Sequence, residues 1–145
     1  MVCLGNICRS PMAEGLLKAK VDSSAIFVDS AGTSNYHIGQ HPDERMIETA
    51  RNHGIDISQL KGRQFTTQDF DNFDRIYAMD NSNYKNIVKL ARNTADIEKV
   101  DLITNLLTAF KGQDVPDPYY GGQQGFENVY NLLDECTSQL SEELR

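Results

Sequence analysis

Short apolar runs alternate along this chain with stretches whose apolar residues recur at helical spacing. That order predicts an α/β fold around a parallel sheet. The first helical stretch carries Ala13, Leu16, Leu17 and Val21 on one stripe. Ser10 is placed as its N-cap and Pro11 at the first helical position, where a missing N–H costs nothing. Ala25 to Asp29 reads as a strand, followed by a polar loop from Ser30 to Gln40. Met46, Ile47 and Ala50 predict a second helix, which Gly54 ends. Arg75 to Met79 and Val100 to Leu102 read as strands, with a helix between them over Ser82 to Leu90. Phe126, Val129, Leu133, Cys136 and Leu140 fall on one face of a long closing helix.

Only Met1 and Val2 precede Cys3, so the expectation is either that further residues precede Met1 in the natural protein or that the strand in front of Cys3 is truncated to a stub. Such a strand normally anchors the centre of a parallel sheet, so a stub predicts a weakened anchor. With no repeat, low-complexity tract or long linker, residues 1–145 are expected to form one domain.

The composition, 39% hydrophobic and 24% charged, is that of an ordinary soluble globular protein. No apolar run approaches the roughly 18 residues that span a bilayer, and no basic-then-apolar leader is visible. The cysteines number three, two of them in one short motif, which is not a disulfide framework. Reduced thiols and a cytoplasmic enzyme are expected. The formal net charge of -7 argues against nucleic acid and anionic membranes as partners. A bound anion must therefore find its positive potential locally.

The segment from Cys3 to Ser10 offers that potential. It reads Cys3-Leu4-Gly5-Asn6-Ile7-Cys8-Arg9-Ser10 and leads straight into the Ser-Pro helix start. A free cysteine ionises near ~8.5, and inward-pointing amides at a helix N-terminus favour its thiolate. Arg9 adds a planar fork that holds two oxygens of a phosphate, which lysine cannot copy. Gly5 is expected at positive φ, Asn6 is suited to the left-handed region, and Ser10 is placed to donate to the sulfur. Far downstream, Asp117 lies between Pro116 and Pro118, which restrict its loop, and Tyr119 and Tyr120 follow. A carboxyl so held suits general acid work on an aryl phosphate. His37, His41 and His53 lack metal-ligand spacing, so neither a metal nor another cofactor is expected.

The segment Val2 to Glu14 resembles the signature of the low-molecular-weight protein tyrosine phosphatases. The likeness continues at Asp29-Ser30-Ala31-Gly32-Thr33-Ser34, at Phe73 to Asp80, and at Val115-Pro116-Asp117-Pro118-Tyr119-Tyr120-Gly121. The resemblance implies a three-layer α/β/α fold with a four-stranded parallel sheet in the order 2-1-3-4. It implies hydrolysis of phosphotyrosine in proteins through a cysteinyl phosphate, with inorganic phosphate or sulfate as the anion that binds. By the same likeness Cys3 matches the nucleophile, Arg9 the phosphate-binding arginine, Asp117 the general acid and Ser10 the thiolate-stabilising hydroxyl. Leu4, Gly5, Ile7 and Cys8 complete the loop. Asn6 matches a bracing residue bonded to the serine at Ser30, and Asp80 a supporting aspartate. Tyr36 and Tyr119 match aromatics that sandwich the substrate ring, and Tyr120 is the tyrosine most readily spared for packing. In the family, the cysteines matching Cys3 and Cys8 form a disulfide under oxidation.

One departure is visible. Where many members carry a histidine before an Ala-Arg-Gln segment, this chain reads Gln59-Leu60-Lys61-Gly62-Arg63-Gln64, and Gln59 is expected to replace that brace in part. Three rival readings remain. An arsenate reductase on the same scaffold needs resolving cysteines, and residues 75 to 90 contain none. A phosphoarginine phosphatase from a sister branch carries threonine where Ile7 stands. A phosphotyrosine-binding module without catalysis would not need Cys3, Arg9 and Asp117 together.

Overall fold

The computed structural model describes residues 1–145. Four parallel strands form one sheet in the order β2-β1-β3-β4, as expected. They are β1 (Val2–Cys3), β2 (Ala31–Gly32), β3 (Ile76–Ala78) and β4 (Val100–Leu102). Val2 pairs with both Ala31 and Ala78, so the two-residue β1 is the central strand. Its ladder extends past its named ends: Ala31 N–H donates to Met1 C=O, Thr33 N–H to Cys3 C=O and Ser34 N–H to Leu4 C=O.

Strand residues alternate between two cores. Cys3 and Tyr77 face a large cluster built with Met12, Leu16, Met46, Phe126, Leu133 and Leu140. These come from α1 (Arg9–Lys18), α2 (Glu44–Asn52) and the closing helix, numbered α6 (Gln123–Glu143). Val2, Ala31, Ile76, Ala78, Val100 and Leu102 face a smaller cluster with Phe70 and Ile87. Those two side chains belong to α3 (Asp69–Asn72) and α4 (Asn81–Val88); α5 (Thr94–Glu98) leads into β4. Helices on both faces make the three layers.

Elements differ from expectation at both ends of the first helix and around β2; α1 ends at Lys18, short of Val21. Residues 25–29 form no strand: their one link to β1 is the Met1 amine donating to Asp29 C=O at 3.0 Å, and the ladder runs instead with Ala31 to Ser34, so β2 lies inside the stretch expected to be a polar loop. Phe27 instead stacks on Phe73 with ring centroids 5.7 Å apart. Helix α1 begins at Arg9 with Cys8 as N-cap, not at Ser10. The Ser10 hydroxyl is engaged with Cys3 and Asn6 and makes no cap, and Pro11 still sits in the first turn.

Candidate active site

Cys3 ends the central strand at its carboxyl edge, the edge where open α/β sheets bind ligands. The chain then loops from Leu4 to Cys8 and enters α1. The N–H of Asn6 points at the Cys3 sulfur from 3.3 Å. The amides of Gly5, Ile7, Cys8, Arg9 and Ser10 find no acceptor within the protein. A loop of unpaired amides at a helix N-terminus is a place for an anion.

Asn6 holds the loop in shape. Its φ is +57°, the one left-handed residue other than glycine. Its side-chain amide donates to Ser10 Oγ at 2.7 Å and to Ser30 Oγ at 2.9 Å, and its carbonyl oxygen accepts from Arg63 N–H at 3.1 Å. Ser30 in turn donates to Glu14 Oε1 at 2.6 Å, and Lys18 pairs with the other Glu14 oxygen. Because Ser10 Oγ accepts from Asn6, its own hydrogen is free to point at the Cys3 sulfur, 3.0 Å away. The arrangement leaves the Ser10 hydrogen available to a Cys3 thiolate, which can only accept. The brace comes from the Arg63 backbone, not from Gln59, which makes no bond to Asn6. Glu14, buried and without an assigned role in the sequence reading, anchors the far end.

Gly5 is not at positive φ, contrary to expectation. Its lack of a side chain provides room: a Cβ there would lie 3.0 Å from His37 Cδ2. Gly32 on β2 is a second tight place, where a Cβ would meet Leu4 C=O at 2.8 Å. The loop lies against β2 because that strand residue is a glycine.

Arg9 is buried, and both of its protein hydrogen bonds leave from Nη1, to Asp80 Oδ2 at 2.7 Å and Val115 C=O at 3.0 Å. Nε and Nη2 remain free as a fork. Burial alone would lower the pKa of this guanidinium, but the Cys3 sulfur and the Asp80 carboxylate outweigh it and push the pKa up. Asp80 therefore acts as the tether of Arg9; its Oδ1 also caps α4 by accepting from Asn83 N–H at 2.7 Å.

Asp117 approaches from the opposite rim. Its Oδ2 lies 3.8 Å from Arg9 Nη2, and its side chain is 44% exposed, open to solvent on one side. Tyr119 N–H donates to Asp117 Oδ1 at 3.0 Å. The cavity between them has a volume of about 220 Å³. Its walls are Cys3, Leu4, Gly5, Ile7, Cys8, Arg9, Tyr36, His37, Asp117, Tyr119 and Tyr120. Asn6, Ser10 and Ser30 stand behind it. Tyr36 and Tyr120 are exposed, and Tyr119 meets Tyr120 edge-on with centroids 5.0 Å apart. His37 also lines the wall, which only its place in the loop with Tyr36 could have suggested. Burial, helped by the charges of Asp43, Cys3 and Asp117, raises the pKa of the Cys8 thiol, and burial pushes that of Cys136 up to about 12. A roomier depression of about 350 Å³, lined by Ile26, Phe27, Phe73 and Leu140 among others, holds no comparable set of groups.

A sulfur under unpaired amides, a buried guanidinium with a free fork and a carboxyl at the rim together suit phosphoryl transfer to the sulfur. Comparison with known proteins gives the same picture. The family model for low molecular weight phosphotyrosine protein phosphatase matches residues 1–145. A Synechocystis protein bearing the name of the same phosphatase class is 48% identical over 145 residues, covering 96% of this chain and 90% of its own. The structure of a protein tyrosine phosphatase from Entamoeba histolytica, with Hepes in the active site, superimposes with a TM-score of 0.92 at 38% identity, covering 99% of this chain and 93% of that one. A Drosophila arginine phosphatase does so with a TM-score of 0.89 at 32% identity, covering 99% and 95%. With a match that runs from end to end, this chain belongs to the low molecular weight phosphotyrosine protein phosphatase family.

Proposed function

We propose that this protein cleaves phosphotyrosine in two steps on Cys3. The thiolate attacks phosphorus in line with the aryl oxygen. The P–O bond to the ring breaks as Asp117 gives its proton to the departing phenolate, and a cysteinyl phosphate remains. Water then attacks the phosphorus, the Asp117 carboxylate takes the water's proton, and the S–P bond breaks to return the thiolate and inorganic phosphate. The Arg9 fork and the loop amides hold the non-bridging oxygens through both steps. Tyr36 and Tyr119 flank the ring, contributing about 0.5–1.5 kcal/mol by stacking. The observation that carries this reading is the opposition of Cys3 and Asp117 across one small cavity, with Arg9 reaching toward both.

Tyrosine-phosphorylated proteins are the proposed substrates, and phosphate or sulfate the competing anions. The three unpaired cysteines support a reducing, cytoplasmic location. The test is a rapid acid quench during turnover of a phosphotyrosine peptide. The native enzyme should yield a phosphorylated Cys3 peptide and release phosphate; Cys3→Ser should yield neither. Because one structural neighbour is named an arginine phosphatase, phosphoarginine belongs in the same assay. Ile7, an apolar wall residue without a hydroxyl, supports the aryl substrate over the guanidinium. Turnover of phosphoarginine in preference to phosphotyrosine would reverse that assignment.

A further inference from the structure

The segment from Pro116 to Gly122 carries Asp117 and Tyr119, yet it has few bonds to the rest of the protein. Within it, Tyr119 N–H donates to Asp117 and Gly121 N–H donates to Pro118 C=O. From outside, Gly125 N–H donates to Gly122 C=O at the start of α6 and Arg9 Nη2 stands 3.8 Å from Asp117, but one side chain alone hydrogen-bonds to the segment: Arg45 Nη2 donates to Tyr119 C=O at 3.0 Å. The Arg45 guanidinium also lies over the rings of Tyr119 and Phe126, at 5.5 and 4.7 Å from their centroids. Phe126 is fully buried in α6, so that contact is with a rigid element.

Arg45 is itself aimed by Asp43. Nε donates to Asp43 Oδ1 at 3.1 Å and Nη2 to Oδ2 at 2.9 Å, a fork on a carboxylate. Asp43 caps α2, and its backbone N–H donates to Ile7 C=O at 2.8 Å, in the loop around the Cys3 sulfur. A continuous strap therefore runs from Ile7 through Asp43 and Arg45 to Tyr119, and from the Tyr119 amide to the Asp117 carboxyl.

We infer that Arg45 is a positioning residue, which holds Asp117 over the cavity for proton transfer by pinning the Tyr119 carbonyl to the Asp43 end of α2. This rests on the reading of Asp117 as the acid. Arg45 touches no reacting atom; released, the segment keeps its residues and loses their placement, and displacement of about 1 Å is enough to cost a large factor in rate.

The test is kcat/KM, which reports the step through phosphoryl transfer to the sulfur. It is measured across aryl phosphates of graded leaving-group pKa for native protein, Arg45→Met, Arg45→Lys, Asp117→Ala and the Arg45→Met/Asp117→Ala double variant. Arg45→Met should lose on the order of tenfold for phenyl phosphate and little for p-nitrophenyl phosphate, whose leaving group hardly needs the proton. Arg45→Lys, with a single donor in place of the fork, should fall between. In the double variant, loss of Arg45 should add nothing to loss of Asp117. An unchanged leaving-group dependence, an equal loss for every substrate, or a loss that persists undiminished without Asp117 overturns the inference. If Arg45→Met does not fold, the Arg45→Lys profile decides by the same criteria. A flat profile in Asp117→Ala is a separate result and removes the acid itself.

Discussion

Arg9 spends both of its protein hydrogen bonds through one nitrogen, and the shorter, 2.7 Å, ends on Asp80. The two residues stand 71 positions apart, one opening α1 and the other capping α4. Asp80 thus sets the direction of the fork without facing the anion. Asp80→Ala should raise the inhibition constant of inorganic phosphate and lower kcat/KM by roughly ten- to a hundredfold, since a misaimed guanidinium forfeits its bidentate geometry. The lost cap adds a fall in stability of about 1 kcal/mol, to be read from urea denaturation. An unaltered phosphate constant would show that Arg9 needs no tether.

Asn6 combines a left-handed backbone with a three-way brace, and two substitutions separate these roles. Asn6→Ala should lose the bonds and carry a strain of about 1–2 kcal/mol, whereas Asn6→Gly loses the bonds and is spared the strain. The glycine variant should therefore be the more stable of the two, with activity impaired alike in both. Thermal unfolding alongside phosphatase assays checks this; activity restored by glycine would make the backbone angle the whole of the Asn6 contribution.

The Asp43 carboxyl is held below its usual pKa, first by the Arg45 side chain and then by backbone amides of α2, against the opposing effect of burial. Its folded value lies under the unfolded ~3.9, so the stabilisation is present above that pH and is lost as pH falls through the folded value. Asp43→Asn keeps a capping oxygen and removes the charge. Urea denaturation should find the variant weaker than native at pH 6, with the gap closing progressively as pH falls below the unfolded ~3.9. A gap of constant size over that range would exclude the ion pair as its source.

Thiol reactivity should be strongly unequal. Burial raises the pKa of Cys8 and Cys136, and neither accepts a hydrogen bond of the kind Cys3 receives from Ser10 and Asn6. Iodoacetate, an anion sized for the cavity, should label Cys3 first, and inorganic phosphate should protect it. Cys8 and Cys136 should label only on unfolding. Peptide mapping after limited alkylation measures the order, and early labelling of Cys136 would contradict it.

Much of the site was legible because its demands are local. Cys3, Gly5, Asn6, Arg9 and Ser10 lie in one stretch, each a residue type suited to a particular task in an anion loop. The sheet order followed from family likeness, and β3 and β4 from compact apolar runs. The strand expected at residues 25–29 is absent because pairing depends on the register with a partner strand, which falls on Ala31 to Ser34 and which periodicity does not report. Gly5 was identified with the wrong reason: the demand on it is the His37 ring, a contact across 32 positions, not a turn angle. The brace on Asn6 escaped notice because it is a backbone N–H, which every residue except proline carries, at Arg63. Glu14 and Arg45 carry no sequence signal of a role; only the folded chain shows that one ends the serine relay and the other holds the Tyr119 carbonyl.

The two-residue span of β1 has a practical corollary. The same few peptide units that join the halves of the sheet also carry the sulfur into place, so the sheet cannot part at its middle while Cys3 keeps its surroundings. Binding of inorganic phosphate at the Cys3 loop should then serve as a direct gauge of nativeness: under progressive denaturation, molecules that no longer bind it and unfolded molecules will be one population.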